Sequence, residues 1–160
     1  MKVLIVSDSH GRTFYLDKAI AMVGDIDYIF HLGDLEGDED YLPLIAPCDL
    51  VMVSGNNDYF THVNREEIIT LGKYTIYLTH GHRHQVYSGL DTIKEVAKSK
   101  GANIVMFGHT HTPLINLSGS VWAINPGSIS LPRQEGRNPS FVLMEIDREG
   151  EAHFTLNYIK

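Results

Sequence analysis

Short apolar runs rich in β-branched residues divide the first third of the chain. They lie at residues 3–6, 28–30 and 50–53. Each run is continuous and does not alternate with polar residues, which is typical of strands that are covered on both faces of a sheet. Between the first two runs, apolar residues recur at helical spacing over residues 16–23, and Gly24 follows as a stop. With a second helix predicted at about 40–46, interrupted near Pro43, the pattern indicates a parallel βαβαβ unit with right-handed crossovers.

The rest of the chain contains more strands than helices. Apolar residues at 68–69 and 75–78, separated by Gly72 and Lys73, predict a hairpin, and residues 88–100 predict a helix with one apolar face. Further strands are predicted at 104–107, 114–117, 121–124, 141–146 and 153–159, the last four as a meander without helices. The layout implies a single α/β domain over residues 1–160, in which two sheets pack face to face and the earlier sheet carries helices on its outer side.

Composition limits the classes of protein that the sequence can form. Apolar residues make up 43% of the 160 residues and charged residues 21%, which is typical of a soluble globular domain. The formal net charge of −7 disfavours a partner such as long nucleic acid, which normally meets a basic protein face. Cys48 is the only cysteine, so neither an intrachain disulfide nor a cysteine-based zinc cluster can form. No apolar run reaches the roughly 20 residues that span a bilayer, and no signal-peptide pattern is present, so we expect a cytoplasmic protein without membrane association.

Polar residues beside glycines follow five of the predicted strands. The segments are Asp8-Ser9-His10-Gly11, Gly33-Asp34, Gly55-Asn56-Asn57-Asp58, His80-Gly81-His82 and Gly108-His109-Thr110-His111. Ligands of open α/β sheets bind outside the carboxyl ends of the strands, and glycine lets the backbone approach closely at such turns. Taken alone, each segment is an ordinary cap or turn. Five of them at successive strand ends predict one common site.

Seven of these residues carry side chains that can bind a metal ion. They are Asp8, His10, Asp34, Asn56, His80, His109 and His111. Carboxylate, amide and imidazole donors suit Mn²⁺, Fe²⁺, Zn²⁺, Ni²⁺ or Co²⁺. In an extended segment residues i and i+2 face the same side, so Asp8 with His10, and His109 with His111, can each face one centre. A single catalytic ion keeps a position open and rarely takes seven protein ligands, so the number favours two ions that share one carboxylate.

The order of these motifs resembles the calcineurin-like metallophosphoesterase superfamily. The short length, the segment Asn125-Pro126-Gly127-Ser128 and the segment Pro-Ser-Phe-Val-Leu-Met at 139–144 are similar to its compact YfcE-like phosphodiesterase branch. The resemblance runs from Lys2 to nearly the last residue. It implies a four-layered αββα sandwich of two mixed β-sheets flanked by helices, with two divalent metal ions, Mn²⁺ being the expected ion.

The resemblance also implies roles for individual residues. The first ion is assigned to Asp8, His10 and His111, the second to Asn56, His80 and His109, and Asp34 is expected to bridge both. The superfamily places a His beside the metal-binding Asn, whereas Asn57 stands here, which donates a hydrogen bond but supplies no proton near neutral pH. Asn57, Asp58 and His82 are the expected catalytic residues beside the ions. Asp58 is expected to orient a neighbouring group, and His82 to support a ligand or contact a phosphate, while His84 receives no role.

We therefore expect a hydrolase, a dinuclear metal-dependent phosphodiesterase in which the ions activate water against small phosphodiesters. A phosphomonoesterase is one alternative, which Asn57 disfavours. A non-catalytic metal-binding scaffold related to the retromer subunit is another, which the seven intact ligands disfavour. The expected partner is a small phosphoester substrate, and the sequence is compatible with an oligomer.

Other residues with reactive or aromatic side chains are expected to be structural. His31 is predicted to pack at a strand end, and His62 and His153 to lie on the surface. Cys48 and Trp122 are predicted to lie in the core, because no catalytic partner accompanies them in the pattern.

Overall fold

The computed structural model describes residues 1–160 as ten strands and three α-helices. The strands are β1 Lys2–Val6, β2 Tyr28–His31, β3 Asp49–Met52, β4 Glu66–Leu71, β5 Tyr74–Thr79, β6 Ile104–Met106, β7 Pro113–Asn116, β8 Trp122–Pro126, β9 Ser140–Ile146 and β10 Ala152–Tyr158. The helices are α1 Phe14–Val23, α2 Asp38–Ile45 and α3 Asp91–Ser99, and a 3-10 turn covers His82–His84. No helix has both the length and the apolar character needed to cross a membrane.

The strands form two mixed sheets of five strands each. The first sheet has the order β10-β9-β1-β2-β3, in which β1, β2 and β3 are parallel, as the βαβαβ pattern predicts. Its other two strands are antiparallel, β9 beside β1 and β10 beside β9. The second sheet has the order β4-β5-β6-β8-β7, with β5, β6 and β8 parallel and the edge strands β4 and β7 antiparallel to their neighbours.

Three apolar layers separate the four layers of secondary structure. Alternate residues of β1 show the arrangement: Val3 and Ile5 face the second sheet, and Leu4 and Val6 face α1 and α2. On the far side, α3 packs its buried residues against the outer face of the second sheet. The fold is therefore an α/β sandwich in the order helices, sheet, sheet, helix, which confirms the predicted four-layered αββα class.

Some local predictions are wrong in detail. The meander of the last four strands is divided, because β7 and β8 extend the second sheet while β9 and β10 extend the first. α2 runs through Pro43, whose exposed position lets water hydrate the carbonyl that loses its donor. The helix predicted at 88–100 is shorter and begins at Asp91. Cys48 and Trp122 are half-buried beside the apolar layers and do not lie inside them.

Candidate metal centre

The loops that follow β1 and β2 are joined through their backbones, and so are the loops that follow β5 and β6. The N–H of Asp8 donates to the carbonyl of Gly33 at 3.0 Å, and the N–H of His10 donates to that of Asp34 at 2.9 Å. The N–H of Gly108 donates to the carbonyl of His80 at 3.0 Å. These bonds bring together the residues that the sequence places at separate strand ends, because the parallel strands end at one edge of each sheet.

Left-handed backbone is concentrated in these loops. Nine residues other than glycine have a positive φ, and five of them are predicted metal ligands. These are Asp8 at 56°, His10 at 49°, Asp34 at 55°, His109 at 67° and His111 at 58°. A positive φ is uncommon outside glycine and occurs where the surrounding structure enforces it, as at ligand-binding sites. The local conformation of the chain therefore points the side chains of these five residues in directions that regular strands do not allow.

Two glycines of the motifs leave space that the acidic ligands occupy. A Cβ on Gly55 would lie 2.1 Å from Oδ1 of Asp34. A Cβ on Gly108 would lie 1.9 Å from Oγ of Ser7 and 2.7 Å from Oδ2 of Asp8. Since non-bonded atoms do not approach so closely, glycine at these positions lets the neighbouring backbone pack against the carboxylates.

Four predicted ligands form a compact group. One ligand atom from each of Asp8, His10, Asp34 and His111 lies within 4.8 Å of the others. Nε2 of His111 is 3.1 Å from Oδ1 of Asp8 and 3.3 Å from Nε2 of His10. Two donors that bind one ion at about 2.1 Å in tetrahedral geometry are separated by about 3.4 Å. The spacing of these atoms is thus that of ligands around a single ion.

Asp34 also approaches the second group of predicted ligands. Its Oδ2 is 3.7 Å from Nε2 of His10 and 3.5 Å from Nε2 of His80. The ring centroid of His109 lies 5.2 Å from that of His80. Asn56 is exposed on the loop after β3, beside the glycine that contacts Asp34. The Asp34 carboxylate consequently stands between imidazoles of the two groups.

Three of the imidazoles are oriented by hydrogen bonds at their other nitrogen. Nδ1 of His80 donates to the carbonyl of Leu32 at 2.7 Å, and Nδ1 of His111 donates to that of Leu131 at 2.7 Å. Nδ1 of His10 lies 3.1 Å from Oε2 of Glu36. A proton held on Nδ1 leaves the lone pair of Nε2 free, which is the arrangement that metal-binding histidines adopt. Sequence reasoning missed Glu36, which carries no motif signal.

Two atoms at the centre are buried without a hydrogen-bond partner: Oδ1 of Asp8 and Nε2 of His80. An unpaired buried polar atom is costly, and a divalent cation removes that cost by taking both as ligands. Burial by itself raises the pKa of Asp8, but the His111 imidazole, 3.1 Å from its Oδ1, and the charge of His80 hold that pKa below the ordinary value. The carboxylate is therefore ionised and ready to bind a cation. The residues of the centre fit a metal ion.

Asn57 and Asp58 lie directly against this centre. The backbone N–H of Asn57 donates to Oδ1 of Asp34 at 2.9 Å, and its side-chain Nδ2 donates to Oδ2 at 2.7 Å. Asp58 accepts hydrogen bonds from three backbone N–H groups, those of Leu35 at 2.7 Å, Glu36 at 2.8 Å and Gly55 at 2.6 Å. Asp58 therefore orients the backbone of the two loops that carry Asp34 and Asn56.

His82 lies at the edge of the centre, and His84 lies away from it. The ring centroid of His82 is 5.5 Å from that of His80 and 6.1 Å from that of His109. Its Nδ1 is buried without a partner, and burial, with the nearby His80, lowers the pKa of His82 to about 4. His84 instead packs edge-on against Tyr77, on the outer face of the second sheet.

A group of polar residues holds the backbone of the ligand loops through hydrogen bonds. The hydroxyls of Ser128 and Ser130 both donate to the carbonyl of Asp8 at 2.8 Å. The amide of Asn125 donates to the carbonyl of Gly108 at 2.9 Å. The buried ring of His31 lies 2.9 Å, measured from Nε2, from Oγ of Ser9, which confirms its packing at the strand end. The segment Asn125-Pro126-Gly127-Ser128 supplied the sequence signal for this support, although its function was not predicted.

Other sequence predictions concern residues outside the centre. His62 and His153 are exposed, as predicted. Sequence reasoning missed Tyr87 and Arg133 at the rim of the centre: the Tyr87 hydroxyl donates to the carbonyl of His109 at 3.1 Å and accepts from Nη1 of Arg133 at 2.7 Å. Neither residue lies in a motif, so no sequence signal indicated them.

Two mixed sheets packed face to face, with carboxylates and imidazoles gathered where their strands end, define the class of metallophosphoesterases. The chain belongs to the calcineurin-like phosphoesterase superfamily, whose domain matches residues 1–149. Membership supports hydrolase activity on phosphate esters and implies divalent metal ions.

Individual proteins show the same relationship. The chain is 33% identical to the probable metallophosphoesterase YsnB of Bacillus subtilis over 150 residues, which are 93% of this chain and 86% of that relative. The crystal structure of a predicted phosphoesterase from Streptococcus pneumoniae superposes with a TM-score of 0.78 and 28% identity, covering 98% of this chain and 97% of that one. Vps29 of Entamoeba histolytica complexed with Zn²⁺ gives a TM-score of 0.77 and 25% identity, covering 99% of each chain.

Proposed function

We propose that this chain is a metal-dependent phosphodiesterase that hydrolyses small phosphodiesters with two divalent ions. The observation that carries the proposal is the position of Asp34. Its Oδ2 lies 3.7 Å from Nε2 of His10 and 3.5 Å from Nε2 of His80, so one carboxylate reaches both groups of imidazoles. A carboxylate in this position suits a centre of two ions, which the superfamily resemblance implies.

The donors divide into two sets around Asp34. Asp8, His10 and His111 would hold one ion, Asn56, His80 and His109 would hold the other, and both would share Asp34. Mn²⁺ is the expected ion, and Fe²⁺, Zn²⁺, Ni²⁺ and Co²⁺ also suit donors of this type. When bound, such a pair of ions lowers the pKa of water and neutralises charge on the phosphate oxygens.

The protein's own residues fix the arrangement of the centre, and solvent water supplies the nucleophile that attacks phosphorus. The centre contains no cysteine, and the hydroxyls of Ser128 and Ser130 are engaged with the carbonyl of Asp8, so none of these groups is a free nucleophile. Asn57 carries no titratable proton for the leaving oxygen. Esters with acidic leaving groups, such as aryl diesters, need no such proton, whereas monoesters of simple alcohols do, so the absence of a donor favours aryl diesters over alkyl monoesters as substrates.

A non-catalytic scaffold is the second candidate. The structural likeness to Vps29, including a form complexed with Zn²⁺, supports it. The gathering of Asp8, His10, Asp34 and His111, with His80 beside Asp34, favours the enzyme.

The two candidates are separated by metal reconstitution. Metal-depleted protein is loaded with each ion in turn and tested on methyl p-nitrophenyl phosphate, a diester, and p-nitrophenyl phosphate, a monoester. We expect hydrolysis only after loading, with the diester preferred. Asp34→Asn is the inactive comparison, and Asp25→Asn, an exposed residue after α1, is the matched control. Full hydrolysis by verified metal-free protein contradicts the metal dependence, whereas bound metal without hydrolysis of either ester supports the scaffold.

A further inference from the structure

A groove of about 320 Å³ opens beside the candidate metal centre. One wall is the loop that follows β3, and the opposite side is the 3-10 turn after β5. The residues that decide its chemistry are Asn56, Tyr59, Phe60, Arg65, His82 and Arg83. Apart from Asn56, the residues of the groove take no part in holding the ions, so their chemistry calls for a separate explanation.

The groove is continuous with the centre. Asn56, a proposed ligand, and His82, whose ring centroid lies 5.5 Å from that of His80, both line it. Nδ1 of His82 is buried and has no hydrogen-bond partner. A group bonded to a phosphate at the centre therefore has an adjoining space to enter.

Two arginines make this groove cationic in an acidic chain. The side chains of Arg65 and Arg83 form no ion pair and no hydrogen bond within the protein, although the chain has a net charge of −7. Asp58 is the only carboxylate on the wall, and backbone N–H groups already occupy both of its oxygens. Unpaired guanidinium groups bind phosphate through paired N–H donors, so the groove is suited to an anion.

Two exposed aromatic rings lie on the loop wall of the groove. Tyr59 is 75% exposed and Phe60 is fully exposed, with a left-handed φ of 61°. A positive φ is strained for a bulky residue, and exposure of the ring contributes nothing to folding. The base of the loop is nevertheless fixed, because the N–H of Ser54 donates to the carbonyl of Asn64 at 2.8 Å. A fixed loop that presents flat rings to solvent is a surface on which another flat ring can stack.

We propose that this groove is a subsite for the second arm of the diester, and that the arm is a nucleoside carrying a phosphate of its own. The base stacks on Tyr59 and Phe60, and the additional phosphate is bound by Arg65 and Arg83. This assignment rests on the proposed diesterase function and adds its substrate class. The negative charge of the rest of the chain limits the arm to a short one, such as a single nucleotide.

Three diesters with one common leaving group test the subsite. They are methyl p-nitrophenyl phosphate, thymidine 5′-(p-nitrophenyl phosphate) and the same thymidine diester with a phosphate on the 3′-oxygen. Because each releases nitrophenolate, differences in kcat/KM report the second arm alone. We expect kcat/KM to rise about tenfold when thymidine replaces methyl, from stacking. The 3′-phosphate should add about another tenfold, from the arginines.

Variants of the chain assign these gains to residues. Arg65→Ala and Arg83→Ala should remove the gain from the 3′-phosphate, while Arg148→Ala, an exposed arginine between β9 and β10, should keep it. Phe60→Gly should remove the gain from thymidine, and it should not lower Tm, because glycine tolerates this φ. A loss of preference with an unchanged Tm therefore cannot come from unfolding.

Binding provides a measurement that does not depend on turnover. Isothermal titration of the metal-loaded protein with thymidine 3′,5′-bisphosphate should give an affinity about tenfold weaker in each arginine variant. The subsite is contradicted if the variants keep the wild-type substrate ratios, or if they bind the bisphosphate as the wild type does. Failure of the diesterase function is a distinct result: none of the three diesters is hydrolysed, and the titration alone then decides whether the groove binds a nucleotide.

Discussion

Asn57 holds both carboxylate oxygens of Asp34, one with its backbone N–H at 2.9 Å and the other with its side-chain amide at 2.7 Å. The two bonds fix the plane of the carboxylate as well as its position. Asp34 itself has a left-handed backbone, and this φ sets the direction of its side chain. The hydrogen bonds from Asn57 then fix the carboxylate at the end of that side chain. A shared metal ligand needs such control, because a small rotation would move it away from one of the two imidazole groups.

Asp34→Asn should weaken both ion sites at once. The new amide nitrogen would face the amide of Asn57, which places two donors together, and the charge that two cations share is lost. We expect turnover to fall by about 100-fold or more. His111→Ala should chiefly affect one ion, since its Nε2 lies with Asp8 and His10. Metal content of the purified variants checks this: two ions per chain in Asp34→Asn would show that Asp34 does not bridge.

Substrate preference should depend on Asn57. Without a proton donor at this position, aryl diesters should be hydrolysed faster than monoesters of simple alcohols, because an alkoxide leaves poorly without general acid catalysis worth roughly 100- to 10,000-fold. Asn57→His should narrow that difference. Asn57→Ala is the control that removes the contact with Asp34 without supplying a proton. The kcat/KM values for both esters decide the point, and an unchanged ratio in Asn57→His would show that another residue sets the preference.

Gly55→Ala should abolish metal binding through steric displacement. Its Cβ would stand 2.1 Å from Oδ1 of Asp34, and overpacking of this kind costs about 1–3 kcal/mol. Gly150→Ala is the control that loses stability for a different reason, because its φ of 83° strains alanine while nothing lies near the new methyl group. Both variants should lose stability in thermal unfolding, and only Gly55→Ala should lose its ions. Normal metal content in Gly55→Ala would mean that Asp34 can move without consequence.

Metal binding should release protons and weaken as pH falls. Burial alone lowers the pKa of His80, but the carboxylates of Asp34 and Asp8 beside its Nε2 outweigh burial and raise that pKa in the metal-free protein. Below this raised pKa the proton competes with the ion for the imidazole; above it the competition disappears. Calorimetry in two buffers of different ionisation enthalpy measures the protons released. A binding enthalpy independent of the buffer would contradict this linkage, and His153→Gln, at an exposed site, should leave it unchanged.

The sequence predicts the parts of this fold that depend on burial and spacing. Continuous apolar runs indicate strands covered on both faces, and parallel strands bring Asp8 and Asp34 to one edge wherever the exact strand limits fall. Periodicity does not tell which sheet a strand joins, so β8 and β9 look alike in sequence although they belong to different sheets. The direction of the Asn57 amide was equally unpredictable, because it depends on a contact between loops after β2 and β3.

The left-handed φ values of the ligands are also not predictable from the sequence. Asp and His accept that conformation more readily than most residues, but nothing in a dipeptide such as Gly33-Asp34 requires it. The conformation arises when neighbouring loops hydrogen-bond to each other, as Asp8 does to Gly33.

The hydroxyls of Ser128 and Ser130 both donate to the carbonyl of Asp8. These bonds affect the order in which the metal centre forms while the chain is being synthesised. Asp8 is made among the first residues, yet its supports arrive more than a hundred residues later, and β1 gains its second neighbour only when β9 is complete. The ligand groups of the nascent chain therefore stay incomplete until most of the chain has emerged from the ribosome. Capture of the ions is accordingly a late event, and a chain cut after β7 should retain no bound metal although all seven predicted donors precede the cut.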